Sequence, residues 1–247
     1  MSSAIVVLSG GQDSTVCLFW ATRNYSEVHA VTFDYNQRHK LEIQAAKEVA
    51  ILAGVASHEI ISVGSVLQGT SPLVSANAVE HYNSIDALPK GPEVTFVPGR
   101  NVLFLTLAAN RAAALGAEVL VTGVNSIDHE GYYDCRQDFI EAMQQALSLA
   151  LYGPTEVPPL RIVTPVYSYA KSEIVCMSRT IPGCYEAMAH THTCYDGVYP
   201  PTPDDHACLL RAEGFHKAGF NDPLIERAVK EGVLPPNYPL TGYFTKE

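Results

Sequence analysis

Five apolar residues in a row, Ala4-Ile5-Val6-Val7-Leu8, stop at Ser9-Gly10-Gly11, and over residues 14–22 the apolar positions then recur at helical spacing. The predicted order is strand, glycine loop, helix. A second buried strand is predicted over 28–33, and 40–52 carries Ala, Ile and charged residues at a 3.6-residue period. A third strand is predicted over 58–63. Residues 69–93 are polar and hold Pro72, Pro89 and Pro92, which predicts a loop or lid. The Leu- and Ala-rich stretch 101–115 predicts a helix closed by Gly116, followed by a strand at 118–122 and another helix at 138–151.

Strands alternating with helices of this length imply an α/β fold with a doubly wound parallel sheet, covered on both faces, that binds ligands beyond the carboxyl ends of its strands. Ser9-Gly10-Gly11 lies at such an end. Past Pro158 the pattern weakens. Pro200, Pro201 and Pro203 mark an irregular stretch before a short helical pattern at 208–218. The expected division is a domain over 1–180 and a small C-terminal helical and loop subdomain over 181–247.

Composition narrows the function classes. The chain has 247 residues, 47% of them hydrophobic and 17% charged, as in an ordinary globular protein. A formal charge of −10 opposes broad nucleic-acid binding, which needs a basic surface, and favours a small substrate. There is no apolar run long enough for a bilayer and no basic signal region after Met1, so a cytoplasmic location with no membrane partner is expected. The six cysteines are too scattered for a secreted disulfide framework, so reduced thiols are expected.

The segment Ser9-Gly10-Gly11-Gln12-Asp13-Ser14, between strand and helix, joins unpaired amides to the positive end of a helix dipole, where anions bind. Glycines let phosphate approach the backbone, the serines add hydroxyl donors, and Asp13 is placed to help hold Mg²⁺. A Gly-Gly pair alone makes no more than a tight turn. The spacing fits neither the P-loop nor the dinucleotide fingerprint. It matches the SGGxDS signature of the PP-loop ATP pyrophosphatases, and that resemblance implies an adenine nucleotide alpha hydrolase-like fold that splits ATP between its α and β phosphates and transfers AMP to an acceptor oxygen.

Further segments resemble the 7-cyano-7-deazaguanine synthases: Thr32-Phe33-Asp34-Tyr35-Asn36-Gln37-Arg38-His39, Thr95-Phe96-Val97-Pro98-Gly99-Arg100-Asn101, Thr122-Gly123-Val124 leading to Asp128, Gly131-Tyr132, Asp134-Cys135-Arg136 and Phe139, and Thr164-Pro165 with Lys171. The resemblance covers most of the chain. It implies ATP-dependent conversion of 7-carboxy-7-deazaguanine and ammonia to a nitrile through adenylated intermediates, by a homodimer. It places Leu8, Ser9, Gly10, Gly11, Gln12, Asp13, Ser14, Phe33, Arg100 and Gly123 on ATP. Asp13, Arg38 and Lys171 fall in the catalytic machinery, and Arg100, Asn101, Asp128, Tyr132, Asp134 and Arg136 on the substrate. Cys135 reads more simply as small core packing than as a nucleophile.

The same resemblance implies a structural zinc held by four C-terminal cysteines, and here the chain departs from it. Thr193-Cys194-Tyr195-Asp196-Gly197 and Cys208-Leu209-Leu210-Arg211 are present, but Thr202 and Asp205 stand where the two inner cysteines belong. Either Cys194, Cys208, His206 and Asp205 or His192 form a mixed Zn²⁺ site, or the metal is absent and Pro-rich packing holds the loop. His190 and His192 read more simply as exposed strand or loop residues. The departure leaves two competing functions: a paralogue adenylating another carboxylate, and a non-catalytic nucleotide-binding protein.

Overall fold

The computed structural model describes residues 2–38, 40–75, 77–88, 94–125, 132–154, 159–202 and 204–242. His39, Asp128 and Gly131 of the quoted motifs lie outside them.

Strand β1 (Ser3–Val7) runs into the glycine loop and helix α1 (Gln12–Asn24), and β2 (Glu27–Asp34), α2 (Leu41–Ala53) and β3 (Ser57–Ser62) follow. Then come α3 (Arg100–Leu115), β4 (Val119–Val121), α4 (Gln137–Tyr152) and β5 (Arg161–Val163). The chain continues through α5 (Lys171–Thr180), the single turn α6 (Cys184–Ala187), α7 (His206–Ala218) and α8 (Pro223–Lys230). The strands form one parallel sheet in the order β3-β2-β1-β4-β5, with Val6 beside both Ala30 and Val121.

The central strands are rich in apolar residues because both their faces are covered, although β2 also buries His29 and Thr32. Ala4, Val6 and Leu8 point into one core with α1, α2 and α5, while Ile5, Val31 and Phe33 point into the other with α3 and α4. The first core also takes in Cys184, Ala187, Met188 and Phe215, from beyond residue 180. Edge strand β3 is largely exposed. Left-handed glycines end α2 (Gly54), α3 (Gly116) and α7 (Gly219), each donating its N–H back to the last turn. Among the described residues no helix is long and apolar enough to cross a membrane.

Three elements, one strand and two helices, exceed their sequence signals. The weak pattern past residue 158 conceals β5, α5 and α8: β5 has three residues, and the buried stripe of α5 is only Ile174, Val175 and Ser178. In α8 a Pro at the first helical position follows Asp222, whose side chain accepts from Leu224 N at 2.9 Å and so caps the helix.

Candidate active site

The loop after β1 is held from within. Leu8 N donates to Val31 O at 2.8 Å, so the loop leaves the sheet at a fixed point. Ser9 Oγ and Ser14 Oγ lie 3.0 Å apart, Gly11 N donates to Ser9 Oγ at 3.3 Å, and Thr15 Oγ1 donates to Gly11 O at 2.8 Å. Gly11 precedes α1 and supplies no side-chain cap, so the first-turn amides are left for a ligand. Gly10 has φ +86°, and a Cβ there would lie 2.3 Å from Glu42 O and 2.9 Å from Ala46 N. The glycine is therefore required by the packing of α2 against the loop. Gly123, beyond β4, would put a Cβ 3.0 Å from Ser14 N, so its role at this point is to let the end of β4 approach α1.

The loop forms one wall of a cavity of about 300 Å³. Its lining includes Leu8, Ser9, Gly11, Gln12, Asp13, Ser14, Phe33 and Gly123, and on the opposite side Arg100, Asn101 and Tyr132. Lys171, at the start of α5, reaches across the chain to Asp13, with Nζ 2.7 Å from Oδ2 and both side chains largely buried. Asn125 fixes the approach to α5 by donating to Val166 O at 2.8 Å. Two atoms on the loop side, Gln12 Nε2 and Asp13 Oδ1, are buried without a hydrogen-bond partner. An orphaned donor and an orphaned carboxylate oxygen side by side suit an anion and its counter-cation.

Arg100 opens α3 after Gly99. Burial opposes its charge, but the surrounding Tyr35, Tyr132, Asp134 and Tyr195 outweigh that and hold its guanidinium firmly protonated. Burial pushes the Tyr35 phenol up to about 12, and the Tyr195 phenol rises for the same reason, so both remain O–H donors. Thr95 and Tyr132 share a short hydroxyl contact. The far wall is thus a cation among neutral phenols, suited to an anionic or carbonyl-bearing ligand.

Several sequence-predicted residues are not brought to this wall. Arg38 is exposed and donates to Asn77 O at 2.9 Å, because the chain turns outward after Gln37. Arg136 lies over the exposed ring of Tyr133, 5.1 Å from its centroid. Asp134 is buried but does not line the cavity; its Oδ2 accepts from Asn101 N at 3.3 Å, holding the start of α3. Burial, reinforced by Asp134, pushes the Cys135 thiol up to about 12, which makes it a packing group rather than a nucleophile.

Sequence reasoning passed over Glu42, which also lines the cavity. The available signal was its place one turn before Ala46 and two before Val49, on the buried stripe of α2, where a carboxylate is out of pattern. Burial raises its pKa to about 7, against the opposing pull of Arg100 and Gln37.

The C-terminal cluster differs from the expected metal site. Cys194, Asp205 and Cys208 converge, with ligand atoms all within 4.8 Å of one another, and Thr202 Oγ1 stands 3.6 Å from Cys194 Sγ. His206, the first residue of α7, is not among these converging ligands. The Asp205 carboxylate is already committed: Oδ1 accepts from Cys208 N at 2.8 Å, and Oδ2 from Tyr195 N at 2.9 Å and Cys208 Sγ at 3.2 Å. Three convergent ligands, one of them a helix cap, fall short of the four of a tetrahedral zinc site. The set fits a hydrogen-bonded junction, and through Tyr195 N that junction positions a cavity-lining residue. Arg211, fully buried, braces the same segment by a bidentate pair to Asp222 at 2.7 and 2.8 Å and by bonds to Thr191 and Thr193.

The family model described as "Queuosine biosynthesis protein QueC" matches residues 3–219. The chain belongs to this family. It is 50% identical over 226 residues to a 7-cyano-7-deazaguanine synthase of Gloeobacter violaceus, covering 91% of this chain and 96% of that one. To the synthase of Chromobacterium violaceum it is 44% identical over 232 residues, covering 92% and 95%. That of Acetivibrio thermocellus is 38% identical over 225 residues, covering 90% and 96%. Among solved structures, a 4-thiouridine synthetase in an RNA complex with bound ATP aligns with 93% of this chain and 53% of that one, at 16% identity and a TM-score of 0.47.

Proposed function

We propose that this QueC-family chain is an ATP-dependent carbon–nitrogen ligase that converts 7-carboxy-7-deazaguanine and ammonia to the nitrile, 7-cyano-7-deazaguanine. The observation that carries the reading is a single cavity with a glycine-loop anion site on one wall and a buried arginine among phenols on the other. ATP's β and γ phosphates lie on the first-turn amides of α1 beside Gly11, where Gln12 Nε2 supplies a further donor, while Gly10, packed on α2, shapes the loop without lining the cavity. Leu8, Phe33 and Gly123 flank the nucleotide. Lys171, anchored on Asp13, neutralises charge on the leaving pyrophosphate.

Mg²⁺ fits beside Asp13, whose Oδ1 is buried without a partner; bound there, it offsets phosphate charge. Arg100, Asn101 and Tyr132 orient the acid so that its carboxylate oxygen faces the α-phosphate. An acid oxygen attacks that phosphorus and pyrophosphate leaves; ammonia then displaces AMP to give the amide. A second adenylation, on the amide oxygen, precedes loss of AMP to the nitrile. The chain's share is positioning and charge neutralisation, which needs no nucleophile of its own. Arg38, Asp134 and Arg136 have no contact role in this scheme, and no step uses zinc. The family resemblance adds a homodimer to the reading, which keeps the cytoplasmic location expected from the sequence.

The test is incubation of purified protein with the acid, ATP, Mg²⁺ and ¹⁵N-ammonium. Nitrile carrying the label, detected by mass spectrometry, is the expected product; no ATP-dependent loss of the acid would end the proposal.

A further inference from the structure

We infer that Glu42 is a catalytic residue whose carboxylate takes the proton that ammonium gives up before its nitrogen attacks the adenylated acid. The inference rests on the ligase reading above and assigns a group that reading leaves unnamed. Ammonium carries no lone pair, so a nitrogen donor that arrives protonated needs a base within the cavity.

Among the described residues Asp13 and Glu42 are the carboxylates that line the cavity. Asp13 is taken, tied to Lys171 at 2.7 Å. The other candidates are poorer bases. His192 has its Nε2 2.8 Å from Cys194 O, which ties the ring to the loop, and burial keeps Cys135 a thiol.

Glu42 also stands in the right place. Its backbone packs on Gly10, since a Cβ there would meet Glu42 O, so the residue begins at the pyrophosphate loop. Its carboxyl is hydrogen-bonded to the Gln37 side chain and feels the charge of Arg100 on the opposite wall. Gln37 is held in turn by Tyr35 N, which donates to its Oε1 at 3.0 Å. Between the loop and Arg100 is where the acyl carbon must lie if pyrophosphate leaves through the first and the acid is held by the second. An ordinary carboxylate is too weak a base for ammonium, but burial lifts this one to about 7 and populates both its forms near neutrality.

The step balances. Ammonium transfers one proton to the Glu42 carboxylate, and the freed nitrogen lone pair forms the bond to the carbonyl carbon. The bond from that carbon to the AMP oxygen breaks, AMP leaves with the electron pair, and the surplus proton on the new amide nitrogen passes to water. Glu42 returns its own proton to solvent before the next cycle.

Glu42→Gln separates this role from substrate holding. Acid-dependent exchange of pyrophosphate into ATP, measured without ammonium, is expected to stay within about threefold of the unmodified protein, while ammonium-dependent product falls about 100-fold at pH 7. Hydroxylamine, uncharged at that pH, needs no base and is expected to form hydroxamate at close to the unmodified rate. Glu42→Asp, with its carboxylate one methylene further back, is expected to recover part of the ammonium rate with exchange unchanged, and serves as the test should E42Q not fold. Equal losses with ammonium and hydroxylamine, loss of exchange in either folded variant, or no loss at all would overturn the inference. Absence of exchange in the unmodified protein would instead overturn the substrate assignment, and this inference with it.

Discussion

Replacing Gly10 with alanine tests how the pyrophosphate loop is built. At φ +86° an L-residue pays roughly 1–2 kcal/mol. The new methyl would also sit 2.3 Å from Glu42 O and 2.9 Å from Ala46 N, both backbone atoms of α2 that cannot swing aside as a side chain would. Overpacking of this kind costs about 1–3 kcal/mol, since α2 must move as a body. Together these amount to about 2–5 kcal/mol, which for a chain of this size lowers Tm by about 5–15 °C. Gly11→Ala is the matched control. Gly11 has φ −83°, and its added methyl would meet only Ser9 Oγ at 3.4 Å and His192 O at 3.7 Å, so its Tm should stay within about 2 °C of the parent. Differential scanning fluorimetry of the two variants without nucleotide reads the contrast directly. If Gly10→Ala melts within about 2 °C of the parent, the claim that α2 packing dictates this glycine is refuted.

Three further outcomes follow from the same geometry. Arg211→Met takes the counter-ion away from the buried Asp222 carboxylate, so urea unfolding should show a loss of about 3–5 kcal/mol, and Arg211→Met with Asp222→Asn, which keeps an oxygen for the α8 cap, should recover part of it; equal stabilities of the single variant and the parent would contradict a paired core cation. Elemental analysis of protein made in zinc-supplemented medium should find well under one zinc per chain, whereas stoichiometric zinc that disappears with Cys194→Ser would show that the Asp205 junction gives way to a metal. Because burial raises Glu42 from its ordinary 4.5 to about 7, its protonated form stabilises the fold below about pH 4.5, and that contribution fades as pH rises through 7. Glu42→Gln should therefore flatten the Tm profile and melt higher than the parent at pH 8; parallel profiles would refute the assignment.

The fold was legible where burial writes a period into the sequence. β1 and β4 are buried on both faces and read as apolar runs, β2 keeps Val, Ala and Phe around its buried His29 and Thr32, and α3 and α4 carry long stripes ended by glycine. β5 is three residues long, α5 buries a serine in its short stripe, and α8 begins with proline, so none of them carries a pattern strong enough to read. The site divides in the same way. The glycine loop is contiguous and declares itself, and Lys171 entered through its motif and does reach Asp13. Arg38, Asp134 and Arg136 share motifs with lining residues, yet they sit in turns outside the strands, where motif membership does not fix side-chain direction, and they meet Asn77, Asn101 and Tyr133 instead. Glu42 and Tyr195 gain their places only when α2 and the segment before α7 close over the sheet, which is tertiary information. The cysteine cluster shows the converse: all four family positions still converge, with Thr202 and Asp205 hydrogen-bonded where thiolates were expected.

The central claim is that the loop and the arginine wall together move AMP onto the acid. It is met most directly by identifying the nucleotide products by anion-exchange chromatography, with and without 7-carboxy-7-deazaguanine, in the presence of Mg²⁺ and ammonium. The account expects AMP and pyrophosphate, formed only when the acid is present. ADP as the product, or AMP released at the same rate without the acid, would contradict it.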